Sequence, residues 1–288
     1  MNNDSLTLSP SPKDYKCEKC GVTFSNRYKY SSHFGVKHPK PGVIYHKFTT
    51  ENNPWVNISQ DTRSKYIKSS YDSRFGYLND ISLTHLQTQV ILGSLMGDMC
   101  IWKQRHKKSN PELRISHSIK QTEYVMWKHG ILKNISRKDP YELVRKTGFG
   151  KGLSMYRFES KSLNCLNQIY DIVIDCNGKK NITDKWLNLI DDPVAIATWY
   201  MDDGSSQNGK YPWFVMGLCT DQEVNTIQNW LQSIWGLETT CKRSKGYYND
   251  NTYAILHISK DSVGKFKQLV DPFIIPSMRY KIGDLPII

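Results

Sequence analysis

Two apolar segments of helical character, 105 residues apart, each end abruptly at aspartate. The first, LTHLQTQVILGSLMGDMC (83–100), ends at Asp98, and the second, IATWYMDDGSS (196–206), ends at Asp203. A shift of 105 residues superposes these two aspartates and most of the apolar positions before them. The pattern predicts an internal duplication, in which each half must cover its apolar helix by pairing with the other.

Small residues on the first segment favour a close helix pair. Thr84 is suited to be the N-cap, and Gly93 and Gly97, four residues apart, leave a strip where another backbone can approach. Such packing brings Asp98 and Asp203 together. Two neighbouring carboxylates repel each other unless a cation lies between them, and hard divalent cations prefer oxygen ligands.

Segments that favour strands follow each apolar helix and alternate with helical stretches. In the first half the strand segments are ELRISHSI, YELVRKTG and LSMYRFESK, and in the second PWFVMGLCT, LETTCKRSKG and TYAILHISK. Each half therefore reads as an α-β-β-α-β-β-α unit. We place the first repeat at 82–190 and the second at 191–288.

An N-terminal segment, YKCEKCGVTFSNRYKYSSHFGVKH, has the spacing of a zinc finger. Cys17 and Cys20 are followed after twelve residues by His33, and after four more by His38. Two thiolates and two imidazoles so spaced can surround one Zn²⁺. The segment resembles a C2H2-type ββα finger, which implies base-facing positions at Asn26, Lys29 and Ser32. Binding of a protein partner is the alternative role for the finger.

Charge and composition favour a polyanionic partner. The chain of 288 residues has 39 Lys and Arg against 27 Asp and Glu, a formal charge of +12, which indicates nucleic acid before an anionic membrane surface. No apolar stretch reaches the length of a membrane span, and the seven cysteines suit a reducing, intracellular compartment. We expect a disordered segment at 1–14, the finger at 15–39 and a linker at 40–81 with a short helix after Ser59.

Residues 84–285 resemble the LAGLIDADG homing endonucleases, in the single-chain branch with two motifs. The resemblance rests on GSLMGD and WYMDDGS, on the approach KKNITDKWLNLIDDPVAIATWYMDDG and on the ending FIIPSMRYKIG. It implies an α+β fold: a pseudo-symmetric duplicated α-β-β-α-β-β-α chain with two saddle-shaped antiparallel sheets. The implied activity is that of a monomeric, site-specific endonuclease of a mobile genetic element, which makes a double-strand break in double-stranded DNA by Mg²⁺- or Mn²⁺-dependent hydrolysis.

The same resemblance implies roles for residues near the two motif ends. Asp98 and Asp203 would bind the metal ions, with backbone or indirect support from Gly97 and Asp202. The basic residues near the metals would be Lys281 and Lys180, with Lys179 as the alternative register for the latter. Met99 and Thr198 depart from the usual small residues of the motif without removing a ligand.

The strands would supply the residues that contact DNA, with base edges read in the major groove. These candidates are Arg114, His117, Arg145, Lys146 and Arg157 in the first half, and Lys210, Lys242, Arg243 and Lys245 in the second. Two other functions stay open for the same fold: an RNA maturase that binds intron RNA, and a DNA-binding protein without cleavage activity.

Overall fold

The computed structural model describes residues 15–24, 33, 38, 59–62, 64–65, 68–69, 76–78, 80–104, 109–147, 150–207, 210–245 and 251–283. The chain divides into two compact units, Met1–Ser70 and Tyr71–Ile288. Asn26, Lys29 and Ser32, the predicted base-facing positions of the finger, lie outside the described residues, as does the segment 1–14.

The N-terminal unit contains a short antiparallel hairpin. Strands β1 (Tyr15–Lys16) and β2 (Thr23–Phe24) pair, and the turn between them is closed by the Cys17 N–H, which donates to the Val22 carbonyl at 2.8 Å. Gly21 adopts a φ of 76°, which favours glycine. Further along this unit, residues 60–62, 64–65 and 68–69 are helical after Ser59, as the sequence predicts.

Two apolar helices form the centre of the larger unit. Helix α1 (His85–Met96) begins at a capping box in which Thr84 and Gln87 bond each other's backbone N–H, so the predicted N-cap is confirmed. Among the later elements, the helix Pro193–Asp203, here α5, begins at the N-cap Asp192. Both helices are buried along most of their length, and they pack directly against each other.

Glycines allow this close approach. A Cβ built on Gly93 would lie 2.1 Å from the carbonyl oxygen of Ala195, and one on Gly97 would lie 2.5 Å from the Cβ of Asp202. Both distances are shorter than any van der Waals contact, so a side chain at either position would force the helices apart. The strip predicted from the sequence at these two positions is therefore confirmed.

The other elements follow the predicted α-β-β-α-β-β-α order twice. The first half continues with β3 (Cys100–Trp102), β4 (Glu112–Ser118), α2 (Thr122–Leu132), β5 (Tyr141–Val144), β6 (Ser154–Glu159), α3 (Asn167–Val173) and the short α4 (Asp184–Leu187). After α5, the second half has β7 (Gly204–Ser206), β8 (Pro212–Val215), α6 (Asp221–Trp235), β9 (Thr239–Lys245), β10 (Thr252–Ile258) and α7 (Val263–Val270). A 3₁₀ segment, Pro276–Ile282, follows α7.

Each half contributes one four-stranded antiparallel sheet. The strand orders are β3-β4-β6-β5 and β7-β8-β10-β9, which are equivalent, so the duplication read from the sequence is confirmed in the topology. All six predicted strand segments form strands, while the short β3 and β7 were not singled out. A continuous apolar core lies between the sheets and the helices. None of the helices in the described part of the chain has the length and hydropathy needed to cross a bilayer.

Candidate functional site

Asp98 and Asp203 lie at the ends of the paired helices. Asp98 follows Gly97 just beyond α1 and its side chain is 47% exposed, whereas Asp203 is the last residue of α5 and is partly buried. Burial, together with the negative charges of Asp98 and Asp202, raises the pKa of Asp203 to about 7. The three carboxylates are thus close enough to influence one another.

The buried His117 contacts the carboxylate of Asp98 on its side away from solvent. Its Nδ1 lies 3.3 Å from Oδ2 of Asp98, and its own side chain is 1% exposed. Burial alone would raise the pKa of Asp98, but the hydrogen bond from His117 and the positive charges of Lys128 and Lys281 help to hold that pKa below its ordinary value. This carboxylate is therefore stabilised as an anion.

Asp202 is buried in an ion pair with a lysine from the first half. Lys128 Nζ donates to Asp202 Oδ1 at 2.6 Å, and neither side chain is exposed to solvent. The same Nζ lies 3.3 Å from Nε2 of His117 and 4.3 Å from the centre of the Tyr124 ring. The sequence resemblance placed Asp202 in a supporting position without identifying this partner.

Two lysines bond the carbonyl groups that end the motif helices. Lys180 Nζ donates to the Gly97 carbonyl at 2.9 Å, beyond the end of α1. Lys281 Nζ donates to the carbonyls of Met201 at 2.6 Å and Asp202 at 3.1 Å, at the end of α5. Burial lowers the pKa of Lys281 to about 8 and also lowers that of Lys180.

Of the two register alternatives, Lys180 makes the contact at the motif end. Its neighbour Lys179 is exposed, and the Lys179 backbone N–H donates to Asp175 Oδ1 at 2.8 Å in the preceding turn. Lys281 is buried and its Nζ donates to backbone oxygens, whereas the side chain of Lys180 is partly open to solvent.

Sequence reasoning missed Lys128 and Tyr124. The signal was present, because Lys128 interrupts the apolar stripe of α2 formed by Tyr124, Val125 and Leu132. A lysine at such a position must find a buried anion, and the Tyr124 hydroxyl also donates to the Thr198 carbonyl of α5 at 3.0 Å. The first half thereby contacts α5 through both side chains.

The first sheet corrects one of the predicted DNA contacts. His117 shares the inner face of β4 with Leu113 and Ile115 and is buried, so it does not reach a groove from there. Arg114 and Arg157 lie on the opposite face of the sheet. Arg114 Nε donates to Glu159 at 3.1 Å, so this carboxylate already neutralises part of its charge.

The second sheet separates the predicted basic residues by face. Lys242 lies in register with the exposed Val215 and with Ile255 on the outer face. Arg243 instead has the strand parity of the buried Ala254, and its guanidinium pairs with Asp221 and donates to the Cys219 carbonyl. The prediction that Arg243 faces DNA therefore does not fit the strand register.

The remaining predicted contacts lie at strand ends and turns and are open to solvent to different degrees. Lys146 and Lys210 are in connections, Arg145 bonds the backbone of the turn between β5 and β6, and Lys245 ends β9.

The sequence did not single out an outer row of the second sheet. This row consists of Ser205, Trp213, His257 and Thr240, in register across the four strands.

In the N-terminal unit, the four predicted zinc ligands lie together. One ligand atom each from Cys17, Cys20, His33 and His38 falls within 4.8 Å of the others, and Cys20 Sγ is 3.1 Å from His33 Nε2. Phe24 packs against the His33 ring, with 4.8 Å between centroids. The donor set and its spacing fit a tetrahedral metal.

Comparison with known proteins gives sequence and structural relatives. A protein named RecA from Mycobacterium shimoidei is 31% identical over 213 residues, which cover 69% of this chain and 47% of that protein. Cytochrome b mRNA maturase bI2 of Saccharomyces cerevisiae is 27% identical over 244 residues, covering 82% of this chain and 54% of the maturase. The chain thus spans about half the length of these curated relatives.

The fold has a solved counterpart. The homing endonuclease I-WcaI, in a structure bound to its DNA recognition sequence, superposes with a TM-score of 0.61 at 21% identity, covering 79% of this chain and 95% of that one. The model of the LAGLIDADG DNA endonuclease family matches residues 88–266, which include most of α1, all of α5 and both sheets. The chain belongs to the LAGLIDADG DNA endonuclease family.

Proposed function

We propose that the protein is a site-specific endonuclease that hydrolyses one phosphodiester in each strand of a DNA duplex. The supporting observation is the paired arrangement at the helix ends: Asp98 with Lys180 on one side, and Asp203 with Lys281 on the other. Two equivalent carboxylates, from two equivalent halves, suit a substrate with two strands. The positive net charge and the family membership support DNA as the partner.

Asp98 and Asp203 are the proposed ligands of Mg²⁺ or Mn²⁺. The donor chemistry fits such ions, because the site offers carboxylate oxygens from Asp98 and Asp203, and the pKa of Asp203 shows that the charges of Asp98 and Asp202 lie near it. Bound divalent ions would supply an activated water and charge stabilisation for the leaving oxygen. Gly97 contributes by its lack of a side chain, which admits Asp202 and brings the two helix ends together.

The two lysines would then differ in their tasks. Lys281 holds the last carbonyls of α5 and so fixes the direction of Asp203, while its buried Nζ has its donors directed at the backbone. Lys180 has one bond to Gly97 and is open to solvent, so its remaining N–H groups can order water beside the scissile phosphate. Lys180 is therefore the better candidate for direct action on solvent.

The outer faces of the sheets are the proposed DNA-binding surface. Arg157 in the first sheet and Lys242 in the second lie on these faces, and Arg145, Lys146 and Lys210 lie in the adjoining connections. Residues of this kind position the duplex through phosphates or read bases. Trp213 and His257 on the outer row of the second sheet add flat surfaces beside them.

The test is a cleavage selection. The full chain is incubated with a randomised duplex library and Mg²⁺, and the cut ends are sequenced to give the site. Asp98→Asn and Asp203→Asn should each abolish double-strand breaks while retaining binding to the recovered duplex, since each removes a charge and little volume. A double variant that still produced the same ends would refute the proposed site.

A second function has support from one observation, the match to the cytochrome b mRNA maturase of yeast. A maturase would bind intron transcripts and promote their splicing, and this activity would not depend on Asp98 and Asp203. Wild-type protein and the Asp98→Asn/Asp203→Asn variant should then promote splicing equally. Absence of cleavage together with such splicing would favour this function over the nuclease.

We propose a separate role for the N-terminal unit, as a zinc-stabilised accessory that adds DNA contacts beside the main site. A hydrogen bond network supports the metal site: burial alone would raise the pKa of Cys17, but the backbone N–H groups of Lys19 and Cys20 outweigh it and lower that pKa. A tethered module binds intramolecularly, so even weak contacts add affinity. Zinc content of wild type and Cys20→Ala tests the site, and their footprints on DNA test the role.

A further inference from the structure

A chain of polar groups leads from the interior of the larger unit to Asp98. Lys128 donates to Asp202 at 2.6 Å and lies 3.3 Å from Nε2 of His117, whose Nδ1 lies 3.3 Å from Asp98. Tyr124 packs against Lys128 and His117, with 5.0 Å between the ring centroids of Tyr124 and His117. We name Lys128, Asp202 and His117 the buried triad. Their side chains are at most 1% exposed.

The contacts fix the hydrogen-bonding pattern of His117. The Asp98 carboxylate can only accept, and the Lys128 ammonium can only donate. A neutral imidazole that carries its proton on Nδ1 satisfies both, since Nδ1–H donates to Asp98 and Nε2 accepts from Lys128. The Nε2 atom is 3.6 Å from Asp202, beyond a good hydrogen bond. Lys128 therefore selects the tautomer that bonds Asp98.

The described residues of the second half place no such triad at the equivalent positions. The shift of 105 residues makes Cys100 equivalent to Ser205. Their strand partners, Arg114 and Trp213, are then equivalent, and three residues further along His117 corresponds to Met216. On the second helices of the halves, the buried sets Val125, Lys128, Leu132 and Val224, Ile227, Leu231 have the same spacing. Lys128 thus corresponds to Ile227. Asp202 corresponds to Gly97 through the motif alignment.

We propose that the buried triad positions Asp98 and that the protein therefore nicks the two strands of its target at unequal rates. A metal-binding carboxylate is oriented by the group that hydrogen-bonds its other oxygen, and such partners are worth about 10–100-fold in affinity or activity. Asp98 has this partner in His117, whereas an apolar residue, Met216, stands at the corresponding position for Asp203. The strand served by Asp98 is cut faster. The inference rests on the proposed nuclease function.

Strand-specific kinetics test the inference on the duplex recovered by selection, with a different fluorophore at each 5′ end. Wild type should nick one strand faster. His117→Met should slow that strand about 10–100-fold and leave the other strand unchanged. His117→Asn, whose side-chain amide can replace Nδ1–H as donor to Asp98, should restore most of the rate. Equal slowing of both strands in His117→Met, or no recovery with asparagine, would overturn the proposal.

A second variant guards against simple unfolding. His117→Met/Lys128→Ile/Asp202→Gly transfers the apolar pattern of the second half to the first and removes both charges together, which a buried pair tolerates far better than loss of one partner. This variant should retain a cooperative thermal transition and nick both strands at similar rates. A retained strand preference in the folded variant would refute the role of the triad.

A readout without DNA separates this inference from the proposed function. In the full chain labelled with ¹⁵N-histidine, His117 should appear in long-range ¹H–¹⁵N spectra as the Nδ1–H tautomer, and Lys128→Met should change that pattern. An Nε2–H tautomer in wild type would overturn the positioning of Asp98 by His117. Failure of the wild type to cut any library duplex would refute the nuclease function, and the spectrum would still decide the tautomer.

Discussion

Replacement of Gly93 by alanine should push the paired helices apart. The new Cβ would lie 2.1 Å from the Ala195 carbonyl oxygen and 2.8 Å from the Ala195 Cα. Ordinary contact between such atoms begins at roughly 3.5 Å, so α1 and α5 must separate locally by about 1 Å. The obstructing atoms belong to the backbone and cannot rotate away.

The expected free-energy change has two opposing parts. Alanine in a helix interior is favoured over glycine by about 1 kcal/mol. Overpacking against a rigid partner costs about 3 kcal/mol, at the upper end of its usual range. The net loss of unfolding free energy for Gly93→Ala is then about 2 kcal/mol, which lowers the melting temperature by about 4–8 °C in a domain of this size.

Gly130→Ala is the matched control. Gly130 lies inside α2, is exposed, and a Cβ built there meets nothing within 4 Å. It should gain the helix-propensity term without the clash, so the melting temperature should rise by about 2–4 °C. Thermal unfolding followed by circular dichroism compares the two variants. If Gly93→Ala were as stable as Gly130→Ala, the close helix contact would be wrong.

The same displacement should reach the candidate site, because Asp98 follows α1 directly. A misplacement of about 1 Å can reduce a catalysed rate by about 100-fold. Gly93→Ala should therefore cut the selected duplex about 100-fold more slowly at a temperature where it is fully folded, and Gly130→Ala should match wild type. Wild-type cleavage by folded Gly93→Ala would refute a fixed spacing between the helix ends.

Three further predictions follow from the contacts. Lys128→Met should lower the free energy of unfolding by about 3–5 kcal/mol, because Asp202 is left buried without its cation; in urea unfolding, Lys128→Met/Asp202→Asn should regain part of that loss. Lys180→Met and Lys281→Met should both slow cleavage by orders of magnitude with less effect on DNA affinity. Only Lys281→Met should also lower the melting temperature, since Lys281 bonds buried carbonyls. Equal losses of rate and affinity would make the two lysines phosphate contacts. Cys20→Ala should keep the cleavage position and metal dependence but shorten the footprint on one side at equal salt, and an unchanged footprint and affinity would assign the finger to a protein partner.

The sequence predicts the fold well because its strongest signal is repeated. Two apolar helices with small residues on one face, each followed by alternating strand segments, leave few arrangements that bury both helices. The capping residue Thr84 and the close contact at Gly93 were both accessible from residue type and spacing. The short strands β3 and β7 were missed because three residues carry too little pattern to separate them from a turn.

The candidate site was less accessible, because its side chains are chosen by strand register and burial. His117 and Arg243 look alike as basic residues of a strand, but register turns His117 toward the core and directs Arg243 to Asp221. A shift of one residue would reverse both outcomes. Lys128 carried a sequence signal, but its partner Asp202 lies across the fold, beyond any local pattern.

The helix contact and the buried triad depend on each other. Asp202 can approach α1 because position 97 has no Cβ, and a side chain there would lie 2.5 Å from the Cβ of Asp202. Once Asp202 is in this place, its carboxylate is removed from water, so a cation must be buried with it, and Lys128 provides that charge. Lys128 in turn leaves Nε2 of His117 as an acceptor and directs Nδ1–H to Asp98. A glycine that sets the distance between two helices thus also determines which of the two carboxylates is held by a histidine.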